Sequence, residues 1–373
     1  MHSGLRRAST RPVYLSGSPR RRAPGALGVG GRRLHQAPSG PTVSGHFAGP
    51  SGSPRSGRSH QRLSAAHRVT DSQTNESRLA IPPEAGAILS GMSSLPLVAT
   101  RSAPAVDLVV NCWERSVDRV LVPGFFASVE NQNLRRFARR VAIINNVPDV
   151  DEARARAERL REDGEIDEFL VVADEIQSAL YRLGLRRADL GRIPHYTDFL
   201  LVAVCDEGSE WMLHWDADVR LPNPANWVDP AISLMQRDRR ILVANPNWDR
   251  PGSDARAEAL DEVEGFALGY GFSDQVFLAH RMDLLSASYR RSCPASLRYP
   301  LAHIASIFEQ RVDAYMRSER RLRATHLAAT YLHPDEGDSH PQTTPLERLR
   351  RRRNLLVLKL IDKLSTSDPR FAI

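Results

Sequence analysis

The run MLHWDADV, residues 212–219, passes from an apolar segment straight into Asp216, Ala217 and Asp218. In an extended chain side chains two apart point the same way, so these two carboxylates converge. The C-terminal end of a strand is where α/β sheets gather ligand chemistry. A carboxylate pair there suits a hard divalent cation, which in turn bridges phosphate oxygens. An Asp-x-Asp triplet also arises as a solvated turn or a helix cap. Two neighbours distinguish this one: the apolar strand before it and the acid-poor, Pro-rich loop from Leu221 to Pro230 after it.

Outward from the triplet, apolar runs alternate with helical spacing. VDLVVNC (106–112), VAIINNV (141–147), EFLVVAD (168–174), EWMLHWD (210–216) and ILVANP (241–246) read as strands. Between them, helices are expected over 117–140, with Leu121, Phe125, Val129, Leu134 and Phe137 inward, and over 151–163, opened by Asp149 and Asp151. Further helices are expected over 175–183, over 195–207 with Tyr196, Phe199, Leu200 and Ala203 on one face, and over 230–238. Strands alternating with helices imply an α/β fold with a mostly parallel sheet flanked by helices. Strands that are apolar throughout fit burial on both faces. Right-handed crossovers then bring the strand ends to one edge. That edge collects Asn111, Cys112, Glu114, Arg115, Asn145, Asn146, Asp174 and the Asp216–Asp218 pair. Neither G-x-G-x-x-G nor a Walker-type lysine loop follows any strand, so diphosphate charge would have to be met by a metal on the acidic pair.

Beyond residue 246 the texture changes. Residues 264–285 place Gly265, Gly269 and Gly271 among aromatics, with Asp274 and Gln275 at the centre, and read as a hairpin or bent strand lining a site. Residues 303–318 have helical spacing (Ile304, Ile307, Val312, Tyr315) and carry Glu309 near the start. A strand-like run over 323–336 ends in His333 and Pro334.

Together these residues resemble a GT-A glycosyltransferase from Val106 to Glu336, with a texture similar to the inverting family-two enzymes. The resemblance rests on the nucleotide-binding half, Asp216 and Asp218, the segment Ser273 to Gln275, and His333. One departure is NCWERS (111–116), which stands where those enzymes have a Pro-Thr-x-Asn-type turn. The resemblance implies Mn²⁺ or Mg²⁺ held by Asp216, Asp218 and His333, with His326 a weaker rival, on the diphosphate of a nucleotide-sugar donor. It implies donor contacts at Asn111, Arg115, Asn145, Asn146 and Asp216. The acceptor is an unknown hydroxyl on a glycan, lipid or small molecule. A histidine among oxygen ligands tilts such a site toward Mn²⁺. Inversion needs a carboxylate base, for which Asp274 ranks first and Glu309 second.

Each residue has a plainer reading. Asp274 and Asp174 can cap turns or helices, Glu309 can be a solvated or capping acid, and His333 a loop residue. Asn145, Asn146 and Arg115 can be turn formers, and Trp211 and Trp215 are expected to pack the core rather than stack on a base. Two other functions stay open: a sugar-nucleotide nucleotidyltransferase, which usually carries a basic Gly-rich loop absent here, and a non-catalytic partner-binding protein with a decayed site.

Composition divides the chain into a tail over 1–104, a glycosyltransferase-like domain over 105–340 and a basic amphipathic helix within 341–373. Residues 1–100 hold 13 Arg, no Lys and 3 acids, and are rich in Gly, Ser and Pro, which is the signature of disorder. Residues 1–91 are read either as that extension or as translated upstream sequence. The net charge of +7 therefore comes from the tail, which argues against nucleic acid as a partner. Three scattered Cys form no metal motif and fit a reducing, cytoplasmic setting. The run TPLERLRRRRNLLVLKLIDKL (344–364) is a helix for which two readings stand: packing on the core or a second subunit, or peripheral contact with a membrane interface.

Overall fold

The computed structural model describes residues 103–249, 255–333, 341–364 and 367–371. Nearly all of the tail read as disordered, and the end of the 323–336 run, lie outside the described residues.

The chain opens with β1 (Val106–Cys112), buried at all seven positions. Two short helices follow, α1 (Val117–Val120) and α2 (Phe125–Gln132), then β2 (Arg139–Ile144). Next come α3 (Val150–Glu162), β3 (Glu168–Val171), α4 (Val172–Arg182), α5 (Asp198–Cys205), β4 (Trp211–Asp216), α6 (Val228–Arg237) and β5 (Ile241–Trp248). The later part adds β6 (Asp261–Val263), β7 (Phe266–Gly269), β8 (Val276–His280), α7 (Arg281–Leu285), α8 (Phe308–Ser318), β9 (Leu322–Tyr331) and α9 (Pro345–Leu364).

Among the described residues nine strands form one sheet in the order β3-β2-β1-β4-β8-β5-β9-β7-β6. β1 pairs in parallel with β2 and β4, β2 with β3, and β5 with β9. β8 lies antiparallel between β4 and β5, so β4 and β5 still point the same way. Alternate residues of β1 feed opposite layers. Leu108 and Val110 join a core with Phe126, Leu160 and Ile232, whereas Val109 joins Ile176, Leu200, Leu284 and Phe308. Helices α1–α3 and α6 thus cover one face and α4, α5, α7 and α8 the other. Burial on both faces explains why these strands are mostly apolar rather than alternating.

Several expected elements change. The helix expected over 117–140 is broken at Pro123–Gly124, where Gly124 takes a left-handed φ of 84° and caps α2. Proline and glycine side by side end one helix and start another. Leu134, expected in the core, falls after α2 in a left-handed conformation and is 60% exposed. The strand expected over 168–174 stops at Val171. Asp174 therefore lies in the first turn of α4, paired with Arg154, rather than at the strand edge. The helix expected from 303 starts at Phe308, although Ile304 and Ile307 are buried as the spacing implies. Trp211 and Trp215 are core residues. Asp149 caps α3, its side chain accepting the Glu152 N–H at 2.9 Å.

A buried ion pair ties the first strand to the later part of the chain. Asp107 in β1 meets Arg281 at the start of α7 at 2.9 Å, and its carboxylate also accepts the Ser209 N–H at 2.9 Å. Arg281 further donates to the Ala203 and Ser209 carbonyls. Removing one member of a buried pair leaves the other charge uncompensated, at a cost of about 3–5 kcal/mol. Arg281→Met should lower the urea midpoint accordingly. An unchanged midpoint would show that Arg139, 3.7 Å from Asp107, suffices alone.

Candidate active site

The ends of β1, β2 and β4 open onto a cleft of about 170 Å³. Its lining falls into three walls.

The acidic wall begins where β4 ends. The Asp216 N–H donates to the Gln275 carbonyl at 2.7 Å, so pairing with the segment leading into β8 continues past the strand. The chain then turns tightly, the Val219 N–H returning to the Asp216 carbonyl at 3.0 Å. Arg220 and Leu332 exchange two backbone hydrogen bonds, at 3.0 and 2.8 Å. This small bridge carries the end of β9 back to the acidic turn and sets His333 beside it. Asp216, Asp218 and His333 each offer a ligand atom, and these atoms lie within 4.8 Å of one another. His333 Nε2 is 4.0 Å from Asp216 Oδ2, and no described residue partners its Nδ1. Two carboxylates and an imidazole are a donor set suited to Mn²⁺ or Mg²⁺. Arg119 of α1 ion-pairs with Asp218 and supplies a positive charge at this wall. Asp216 has 27% of its side chain open to the cleft and protein elsewhere around it. That burial, with Asp218 and Asp274 adding negative charge, pushes its carboxyl up to about 6, against the pull of His333. His326 is engaged elsewhere: its Nδ1 accepts the Ala329 N–H at 2.8 Å and its ring packs edge-on against Phe266.

The polar wall comes from β1 and β2. Asn111 is buried, and its Oδ1 has no partner among the described residues although it lines the cleft. Asn145 donates from Nδ2 to the His195 carbonyl at 3.0 Å, tying the β2 end to the turn before α5. Asn146 holds a left-handed φ of 50°, a conformation that Asn tolerates better than most side chains. Both asparagines line the cleft. Arg115 does not: it is exposed, and its guanidinium lies over the Trp113 ring at 5.4 Å.

The third wall is a carboxyl pair. Asp274 lines the cleft, whereas Glu309, in the first turn of α8, stands behind it. The Asp274 N–H donates to Glu309 Oε1 at 3.3 Å, and the two carboxyls share a hydrogen bond. Burial pushes Asp274 up to about 6, an effect the Glu309 hydrogen bond opposes. Burial and then the charge of Asp274 raise Glu309 well above the usual range. Two acids this close do not both ionise readily, so the pair titrates as a unit. Asp274 is the member facing the cleft.

The cleft also has members that no sequence pattern singles out as site residues. Trp113 follows the end of β1 directly, so its place at the sheet edge was the available signal. His195 has no such signal. Its ring lies 4.6 Å from that of Tyr196, tilted by 42°, in a 3₁₀ turn over Pro194–Tyr196. Tyr196 and Phe199, expected to pack a helix face, also line the cleft, Phe199 while staying 7% exposed.

No known family profile matches this sequence, and no curated protein does. Many solved structures resemble this one distantly, and three of them follow. One is GalNAc-T7 with UDP, GalNAc and Mn²⁺: TM-score 0.41, 10% identity, 69% of this chain and 48% of that one. Another is TarS of S. aureus: TM-score 0.39, 12% identity, 72% of this chain and 41% of that one. The third is glucosyl-3-phosphoglycerate synthase from Mycobacterium tuberculosis with Mg²⁺ and uridine diphosphate: TM-score 0.34, 13% identity, 68% of this chain and 78% of that one. The chain thus spans about half the length of the GalNAc-T7 chain it matches. Likenesses this distant bear on neither family nor activity, which must be read from the cleft itself.

Proposed function

We propose that the protein transfers a sugar from a nucleotide-sugar donor to an acceptor hydroxyl, with Mn²⁺ or Mg²⁺ as cofactor and inversion at the anomeric carbon. One observation carries this reading: the Asp216, Asp218 and His333 ligand atoms converge within 4.8 Å in the same cleft that Asp274 enters from another wall. A divalent ion bound there would stabilise the charge that develops on the diphosphate leaving group. The orphaned Asn111 Oδ1 can accept an N–H from the nucleotide, and Asn145 and Asn146 line the same wall. Asp274 takes the acceptor proton as the hydroxyl oxygen bonds to the anomeric carbon and the bond to the diphosphate breaks. Glu309, protonated behind it, donates a hydrogen bond that holds the Asp274 carboxylate in place.

The test is a melting-temperature screen of nucleoside diphosphates and nucleotide sugars, with and without Mn²⁺ or Mg²⁺. One base should stabilise the protein, and only with the metal. At 100 times its dissociation constant a ligand adds about 2.7 kcal/mol, which such a screen resolves easily. Stabilisation by no nucleotide in the presence of either ion would refute the reading.

A further inference from the structure

Helix α9 carries the chain's most unusual surface. One of its faces is spoken for. Glu347, Asn354 and Ile361, seven residues apart in turn, are buried at 6%, 4% and 4% exposure. Ile361 packs with Cys293, Ala295 and Ala314, and Leu358 joins them. At the start of the helix Arg192 grips Glu347 with two hydrogen bonds, at 2.9 and 3.0 Å. Thr344 and Glu347 close a reciprocal cap, at 2.8 and 3.2 Å. The helix is therefore fixed to the body of the protein and is not a loose tail.

Its opposite face is largely apolar and uncovered by any described residue. Leu346, Leu349, Leu356 and Leu360 fall on one side of a 3.6-residue helix and are 57%, 62%, 68% and 60% exposed. Arg350, Arg352, Lys359 and Lys363 border this stripe and Arg353 stands within it, between Leu349 and Leu356; all five are exposed. The helix carries seven cations against two acids, and it holds both lysines of the whole chain. Burying such a stripe against a second copy would press two strongly cationic helices together. An anionic lipid surface meets both features at once: leucines enter the acyl boundary while flanking cations reach the phosphates.

We infer that α9 is a lipid-docking helix, which seats the protein on an anionic bilayer by the Leu346–Leu349–Leu356–Leu360 stripe and its arginine and lysine borders. It lies along the surface; among the described residues no helix is long and apolar enough to cross a membrane. Arg192, which clamps it, stands just ahead of the cleft residue His195, so docking would fix the orientation of the cleft to the bilayer.

The experiment is co-sedimentation of the full chain with phosphatidylcholine vesicles, with and without phosphatidylglycerol, at low and high salt. Binding should require the anionic lipid and weaken with salt. Leu349→Ser, Leu356→Ser and Leu360→Ser together should weaken it roughly 100-fold. Replacing Arg350, Arg351, Arg352 and Arg353 by Gln should weaken it by about 100-fold or more. All of these side chains are exposed, so melting temperatures should hold. In addition, Leu356→Trp should show a blue-shifted emission only with anionic vesicles, which reads insertion without disturbing the stripe. The Arg-rich residues 1–100 are common to every variant, so the differences report on α9. Three results would overturn the inference: no binding to anionic vesicles, equal binding by wild type and both multiple variants, or a leucine-dependent dimer that ignores vesicles.

Discussion

Asp274→Asn is expected to lower kcat by about 10²–10⁴-fold, the usual contribution of a general base, while donor affinity stays within about twofold of wild type. The expectation rests on position. Asp274 faces the cleft, and Glu309 stands behind it in hydrogen-bond contact. A carboxylate at the open side is placed to receive the acceptor proton, whereas the one behind is placed to orient it. Glu309→Gln preserves a donor toward Asp274 and should cost far less. Steady-state kcat, measured beside the donor dissociation constant for both variants, decides the matter. If Glu309→Gln alone loses turnover, the base is Glu309. If neither does, transfer proceeds without a carboxylate base at this wall and retention becomes the better reading.

Asp218→Asn is the second large effect. It removes an anionic ligand with almost no change in shape, so divalent-dependent donor binding should fall beyond the roughly 10–100-fold that outer-shell partners of a metal cost. The fold should survive. The ion pair lost with Arg119 is partly exposed, at 33% on the arginine side, and such pairs contribute about 1 kcal/mol or less. Titrating Mn²⁺ against the nucleotide identified in the melting screen gives the answer. Wild-type metal dependence in Asp218→Asn would remove this residue from the ligand set.

How far the chain could be read beforehand differed by element. Buried strands such as β1 and β4 announce themselves because most of their residues are apolar, and their ends located Asn111 and Asp216. Between those strands a long apolar periodicity was read through Pro123–Gly124 as one helix, though the dipeptide marked the break. The strand expected to reach Asp174 ends at Val171, because Val172 suits strand and helix alike and packing makes the choice between them. The insertion of β8 between β4 and β5 is a pairing of distant segments, and no local pattern encodes it. The same holds for the cleft. Asp274 and Gln275 stood out as polar residues among glycines and aromatics, but the Asp274–Glu309 contact depends on how α8 docks. His195 reaches the cleft because Asn145 draws its backbone there, a tertiary hydrogen bond without a sequence signature.

The Arg220–Leu332 bridge has a bearing on the order in which the molecule matures during synthesis. A nascent chain that has emerged only as far as the turn after β4 already carries both aspartates, but the strand that delivers His333 has yet to be made. Closing a loop over that span has an entropic cost that local contacts cannot offset. Full ligand convergence thus waits until β5, β8 and β9 have joined the sheet. A divalent-ion site built on these three residues would be a late product of biogenesis, and its full affinity a sign that the last strands have arrived.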